Sequence, residues 1–130
     1  MPSSLPPQAA RQLLAHYAEA LNSADAARLP TLYTADGLFL PDGRPPLSAA
    51  ALPGQAESFF VKTRLRISYA VQDVAVGGGY AFVQATARTA TTDLATGQET
   101  ARTSRDFFVL RQESQDWKIY RYVFNNVRSA

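Results

Sequence analysis

Along the first third of the chain the apolar positions recur every three or four residues. Leu13, Leu14, Tyr17, Ala18 and Leu21 form one such stripe, which predicts a helix over residues 8–22. Pro6 and Pro7 suit its entry, where a missing backbone N–H costs nothing. Residues 1–7 are expected to form a flexible N-terminal segment. Asn22-Ser-Ala ends the helix. A second, shorter helix is predicted over 24–32, with Ser23 as N-cap and Asp25 in the first turn, where the helix dipole favours an acid. Leu29 and Leu32 would bury against the first helix. Residues 37–40 read as a short strand and 41–46 as a Pro/Gly loop. Ser48 then caps a third helix over 49–62, interrupted early by Pro53-Gly54.

After residue 63 the period falls from 3.6 to 2. Residues 64–76, 80–92, 98–112 and 117–127 read as four long strands. Gly77-Gly-Gly79 and the polar stretches 93–97 and 113–116 supply the turns. Helices first and strands afterwards is α+β by segregation. Strands this long must twist and coil, so the expected form is a curved antiparallel sheet wrapped around three N-terminal helices. On the last strand, alternation places Tyr120, Tyr122 and Phe124 on one face and Trp117, Ile119, Arg121 and Val123 on the other. Both faces then carry large apolar groups and both need cover. Helices cover one; a second subunit is the simplest cover for the other, so a homodimer through the outer sheet face is expected.

Length and composition narrow the chemistry. The chain has 130 residues and 14.2 kDa, one domain's worth, with 46% hydrophobic and 18% charged residues. Cysteine is absent, which excludes disulfides, thiolate nucleophiles and Cys-based metal sites. A single histidine, His16, excludes paired-histidine metal sites, and the carboxylates are too dispersed for ligand spacing. No metal and no cofactor is expected. Thirteen basic residues against eleven acidic ones give +2, and eleven of the basic residues are arginines scattered along the chain. That pattern lacks the clustered stripe of a nucleic-acid binder. Gly77–Gly79 joins two strands and opens no helix, so it is not a phosphate loop. No basic segment followed by an apolar run opens the chain, and no apolar stretch reaches the roughly 20 residues that span a bilayer. A cytoplasmic protein with no membrane partner is expected.

Two stretches carry a family resemblance. One is His16-Tyr-Ala-Glu-Ala-Leu-Asn-Ser-Ala-Asp25 followed by Leu32-Tyr-Thr-Ala-Asp36. The other is Asp106-Phe-Phe-Val-Leu-Arg111 followed by Trp117-Lys-Ile. With the element order, they resemble the nuclear transport factor 2-like superfamily, and within it the SnoaL-like polyketide cyclase and ketosteroid isomerase branch, over residues 8–127. The resemblance implies that the curved sheet is cone-shaped, a cystatin-like α+β barrel with a pocket inside the cone. It implies that Tyr17 and Asp106 occupy the positions of the family's oxyanion-hole tyrosine and aspartate. It places Pro41 at the position of the family's catalytic base, with Asp42 one residue later. Proline cannot abstract a proton, so the pattern departs there.

Each position has a plainer reading. Tyr17 also fits as a core tyrosine on its helix's apolar stripe. Alternation groups Asp106 with Phe108 and Leu110, where desolvation would raise its pKa. A partner such as Arg88, or a one-residue register slip, would instead keep it ionised. Asp42-Gly43 reads equally as a polar turn. His16, next to Tyr17, is more at home at the boundary between helices than in the pocket. The remaining inward positions expected to meet a ligand are Phe59 or Phe60 on the third helix, and Tyr69, Phe82, Gln84 and Thr86 on the sheet. Phe108, Tyr120, Tyr122 and Phe124 complete the set. Such a lining suits an apolar or ring-bearing small molecule. The activity implied is proton transfer next to a carbonyl, of isomerase or cyclase type, with Tyr17, Asp106 and Asp42 as its polar groups. The alternative is a non-catalytic binding or interaction domain of the same fold.

Overall fold

Helix α1 spans Pro6–Asn22 in the computed structural model, which describes residues 6–129. Its apolar stripe is buried as the spacing predicts: Ala10, Leu13, Leu14, Tyr17 and Ala20 are each at most 7% exposed. Each leucine-sized side chain removed from water contributes about 1.5–3 kcal/mol. Most of the expected flexible segment lies outside the described residues, and Pro6 and Pro7 already belong to α1. Ser23 does not cap the next helix. Its hydroxyl donates back to the Glu19 carbonyl at 2.8 Å and closes α1. The cap is Asp25, which accepts from the Arg28 amide at 3.3 Å. The helix it caps, Ala26–Leu32, is of the 3₁₀ type. Pro30 within it removes a backbone donor, which a short 3₁₀ segment tolerates better than an α-helix.

Strand β1 is Tyr33–Leu40 and β2 is Leu47–Ser48. Ser48 caps as expected, accepting from the Ala51 amide at 3.2 Å. A 3₁₀ turn, Ala49–Ala51, leads into α2, Leu52–Lys62, and Pro53 opens α2 rather than interrupting it. The long strands are β3 (Thr63–Gly77), β4 (Tyr80–Asp93), β5 (Glu99–Glu113) and β6 (Asp116–Ser129). The sheet order is β2-β1-β6-β5-β4-β3. β3 to β6 are antiparallel, but β1 runs parallel to β6, so the sheet is mixed. It is curved and does not close, leaving β2 and β3 as edges. Register shifts leave Gln72 as an extra residue on β3 and Tyr120 and Val127 as extra residues on β6, where they bend the strand, and β1 is irregular between Tyr33 and Leu38. Among the described residues no helix is long and apolar enough to cross a membrane.

One shift corrects the faces expected for β6. Val109 pairs with Arg121 and Leu110 with Ile119, so Tyr120 is the extra residue. One added residue reverses the alternation on either side of it. Ile119 is therefore fully buried in the core, and Trp117 packs half-buried against it. Neither covers the outer face. Tyr120 does, held between Arg111 and Arg121, whose guanidinium carbons lie 4.6 and 3.9 Å from its ring centre. Tyr122 and Phe124, beyond the bulge, face inward as expected.

β4 is corrected as well. Its inner face is Ala81, Val83, Ala85 and Ala87, all at most 1% exposed. Phe82, Gln84 and Thr86 lie on the outer face, where Gln72 donates to the Thr86 hydroxyl at 3.0 Å. The reason is volume. The rings of Tyr69 from β3 and Phe108 from β5 meet across β4 at 5.6 Å, and only small residues fit beneath them.

Gly37 is the tightest backbone approach. A Cβ there would meet the Tyr33 ring at 2.8 Å and the Ile119 carbonyl at 2.9 Å. Gly54, in α2, has nothing within 4 Å. Gly37→Ala should cost about 1–3 kcal/mol by overpacking. Gly54→Ala should add about 0.5–1 kcal/mol by restricting the unfolded chain. Urea unfolding midpoints measure both, and a Gly37→Ala midpoint at or above wild type would contradict this packing.

Candidate functional site

Asp106 lies at mid-strand on β5, on the inner face with Ser104, Phe108 and Leu110, and is 3% exposed. Its Oδ1 accepts from the Ser104 hydroxyl at 2.7 Å, and its Oδ2 accepts from the Tyr122 hydroxyl on β6. The Tyr122 oxygen is in turn 2.9 Å from the Tyr69 hydroxyl on β3. Since Tyr122 gives its proton to the carboxylate, Tyr69 must donate to Tyr122. The result is a directed chain from Tyr69 through Tyr122 to Asp106. Tyr17 joins the cluster by its ring, 5.7 Å from that of Tyr122 and 6.4 Å from that of Tyr69. Its hydroxyl pairs with Tyr33 at 2.9 Å and not with Asp106.

Burial pushes the Asp106 carboxyl above its ordinary value, and the hydrogen bonds from Tyr122 and Ser104 oppose that rise. Burial also pushes Tyr17, Tyr33, Tyr69 and Tyr122 above the usual phenol range. The phenols keep their protons, and the carboxyl is the group in the cluster that titrates. Among the described residues no arginine pairs with it. Arg88 stands exposed on the opposite face of β4, one residue beyond the buried Ala87.

The other residues singled out in the sequence fall elsewhere. Asp42 is exposed, and its carboxylate accepts from the Asn126 amide at 3.0 Å, tying the loop after β1 to the end of β6. His16 lies on the exposed side of α1, where its Nδ1 accepts from Arg28 at 3.0 Å. Phe59 is 41% exposed and stacks edge-on with Phe60 at 5.8 Å. Phe108 is fully buried, its ring 3.9 Å from that of Tyr122. Phe124 stacks on Phe39 at 5.8 Å. The interior around Asp106 is thus packed with rings.

Open space begins beside that packing. A cavity of about 970 Å³ lies between residues 21–24 at the end of α1, Phe60, and the neighbouring ends of β3, β4 and β5. Its lining stops at Ser68, Arg88 and Thr103. On the inner face its lining ends at Ile67, Thr89 and Arg102, each two residues from Tyr69, Ala87 and Ser104 on the same strand, while Asp106 itself lines a second cavity of about 480 Å³ with Gln84, Phe107 and Phe124.

Two members of the cluster were not singled out in the sequence. Ser104 shares the parity of Asp106, two residues away, and that signal was available. Tyr33 reaches Tyr17 from the parallel pairing of β1 with β6, which no local pattern reveals.

Comparison with known proteins gives a consistent fold. A family model described as a SnoaL-like domain matches residues 10–125. A ketosteroid isomerase-like protein from Erwinia carotovora atroseptica is 26% identical, with a TM-score of 0.80 over 95% of this chain and 94% of that one. A conserved protein from Planctomyces limnophilus is 18% identical, with a TM-score of 0.85 over 93% and 97%. A hexachlorocyclohexane dehydrochlorinase is 8% identical, with a TM-score of 0.86 over 95% and 86%. No match is found among curated proteins.

The cluster's chemistry is open to measurement. The carboxyl of Asp106 holds its proton in the folded state above its ordinary value of 3.8. Its contribution to stability therefore declines as pH rises from that value through the raised folded one, and levels off beyond. Asp106→Asn removes this titration. The variant's stability relative to wild type should improve across that window and then stay constant. A difference that does not change with pH would contradict a desolvated Asp106. Tyr122→Phe, which breaks both ends of the chain, should cost about 1–3 kcal/mol in the same unfolding experiment.

Proposed function

The chain belongs to the SnoaL-like domain family, and on that premise we propose that it binds an apolar or ring-bearing small molecule in the cavity beside Asp106. The supporting observation is that Ile67, Thr89 and Arg102 of the cavity lining share the inner sheet face with Tyr69, Ala87 and Ser104, two residues further along their strands. A molecule seated there lies on the sheet face that carries Asp106, at the end of the same strands. A carboxyl whose pKa is raised by burial can, in its protonated form, donate a hydrogen bond to an oxygen that gains negative charge. In a catalytic version of this reading, Asp106 stabilises the enolate formed when a proton leaves the carbon next to a carbonyl. Tyr122 and Tyr69 then adjust the proton's position along their chain. A water molecule would take the proton, since Asp42 does not line the cavity.

A second reading, binding without turnover, has its own support. The cavity lining contains no Asp, Glu or His, Asp42 is engaged by the Asn126 amide, and the Tyr17 hydroxyl by Tyr33. Deuterium uptake at the carbon next to the carbonyl of a bound polycyclic ketone separates the two. Uptake above the buffer rate that is lost in Asp106→Asn supports catalysis, and its absence with retained binding supports the second reading. Binding itself is read by thermal shift with planar polycyclic ketones and phenols at about pH 5, 7 and 9, where a ligand at 100 times its Kd adds about 2.7 kcal/mol. The stabilisation should weaken with rising pH in wild type and stay level in Asp106→Asn. No stabilisation by any compound would sink the cavity reading.

The outer sheet face supports a homodimer. Phe82, Phe107 and Val123, on the adjacent strands β4, β5 and β6, are 39–42% exposed there. Exposed apolar groups that adjoin one another mark interfaces more often than bare surface. The expected solution mass is twice 14.2 kDa, and Phe107→Glu should halve it. A monomeric wild type would contradict the dimer.

A further inference from the structure

Four charged side chains line the cavity, and all are arginines: Arg64, Arg66, Arg88 and Arg102. The ion pairs among the described residues engage only Arg28 and Arg111, so none of the four has a carboxylate partner there. The carboxylates nearest in the strand register are Asp93, opposite Thr63, and Glu99, opposite Thr92. Asp93 is bound to the amides of Ala95 and Thr96 in its own turn. Four cations gathered around one end of the sheet repel one another and together attract an anion.

Their positions differ. Arg102 stands two residues before Ser104 and four before Asp106 on β5, and β5 pairs with β4 without interruption between Arg102 and Arg111. Arg102 therefore shares the inner face with Ser104 and Asp106. Arg88, opposite Thr103, and Arg66, opposite Ala90, have the other parity, as does Arg64. They add to the field without presenting a fork to the interior. The rest of the lining is largely apolar, with Leu21, Phe60, Leu65 and Ile67.

We propose that the cavity takes an amphipathic organic acid, with the guanidinium of Arg102 holding its carboxylate and the apolar body lying toward Ser104 and Asp106. This rests on the cavity reading above and names its ligand class. One inward fork matches one singly charged, planar head, which accepts two parallel N–H bonds. Arg102 and Asp106 are about 13 Å apart along the strand. The acid and the carbonyl that meets Asp106 are thus at opposite ends of the ligand.

The test uses a fluorescent pair that differs only in charge, 1-pyrenebutyric acid and its methyl ester, titrated into the full chain. The acid should bind at least tenfold more tightly than the ester at low salt, and the advantage should shrink as salt is added. Arg102→Gln should remove that advantage and leave the affinity of the ester unchanged, which also shows that the variant folds. Arg102→Lys, which keeps the charge and loses the fork, should restore only part of it. Equal binding of acid and ester by wild type would overturn the proposal and leave the cavity reading intact. So would an advantage that survives Arg102→Gln and is lost in Arg105→Gln on the outer face. Failure of both probes and of every neutral ketone to bind would overturn the cavity reading, and this proposal with it.

Discussion

The structure turns on a carboxyl group buried inside an aromatic core. Removing a charged carboxylate from water costs several kcal/mol unless it is neutralised or fully hydrogen-bonded. Among the described residues Asp106 has no cation paired with it. It meets the cost by holding its proton more tightly and by accepting from Ser104 and Tyr122. Both solutions constrain the fold. Ser104 must share its strand face, β6 must present Tyr122 opposite Phe108, and Tyr69 must satisfy the other side of the Tyr122 oxygen. Three strands are aligned by one acid.

The bulge at Tyr120 makes that alignment possible. Without the extra residue, a strand that buries Ile119 would turn Tyr122 outward, away from Asp106. With it, β6 buries Ile119 at one end and supplies a phenol at the other. The displaced Tyr120 is not lost to solvent, because Arg111 and Arg121 close over its two sides. Arg111 is itself held by Asp36 and Glu113. The alanines of β4 are the complementary device, leaving room for Tyr69 and Phe108 to meet above them.

A packed interior divides the work of a pocket between two regions. The region around Asp106 is packed with rings, and that burial raises the carboxyl's pKa while Ser104 and Tyr122 oppose the rise. The region beyond Ser68, Arg88 and Thr103 is open and lined by four arginines. Family membership alone says little about which chemistry a member performs, since one fold hosts many functions.

How far the sequence reached depends on the range of the interaction concerned. Helix α1, the cap at Ser48 and the four long strands were legible because spacing and capping act within a few residues. The inward placement of Asp106, Phe108, Tyr122 and Phe124 was legible because alternation holds over an uninterrupted stretch. It failed at Tyr120, where a bulge changes the count without any mark in the residue types, and at Phe82, Gln84 and Thr86, where both faces of β4 carry apolar groups. The pairing of Tyr17 with Tyr33, the engagement of Asp42 by Asn126 and the gathering of arginines around one cavity were not legible. Each depends on residues brought together by strand order. The sequence by itself determined the α+β class, the long helix, the four long strands and the inward face of Asp106, because these follow from local periodicity and alternation; it missed β2 and started β1 four residues late. The tertiary structure alone decided which side chains meet that acid and where space remains beside it, because register and packing volume are properties of strands already assembled.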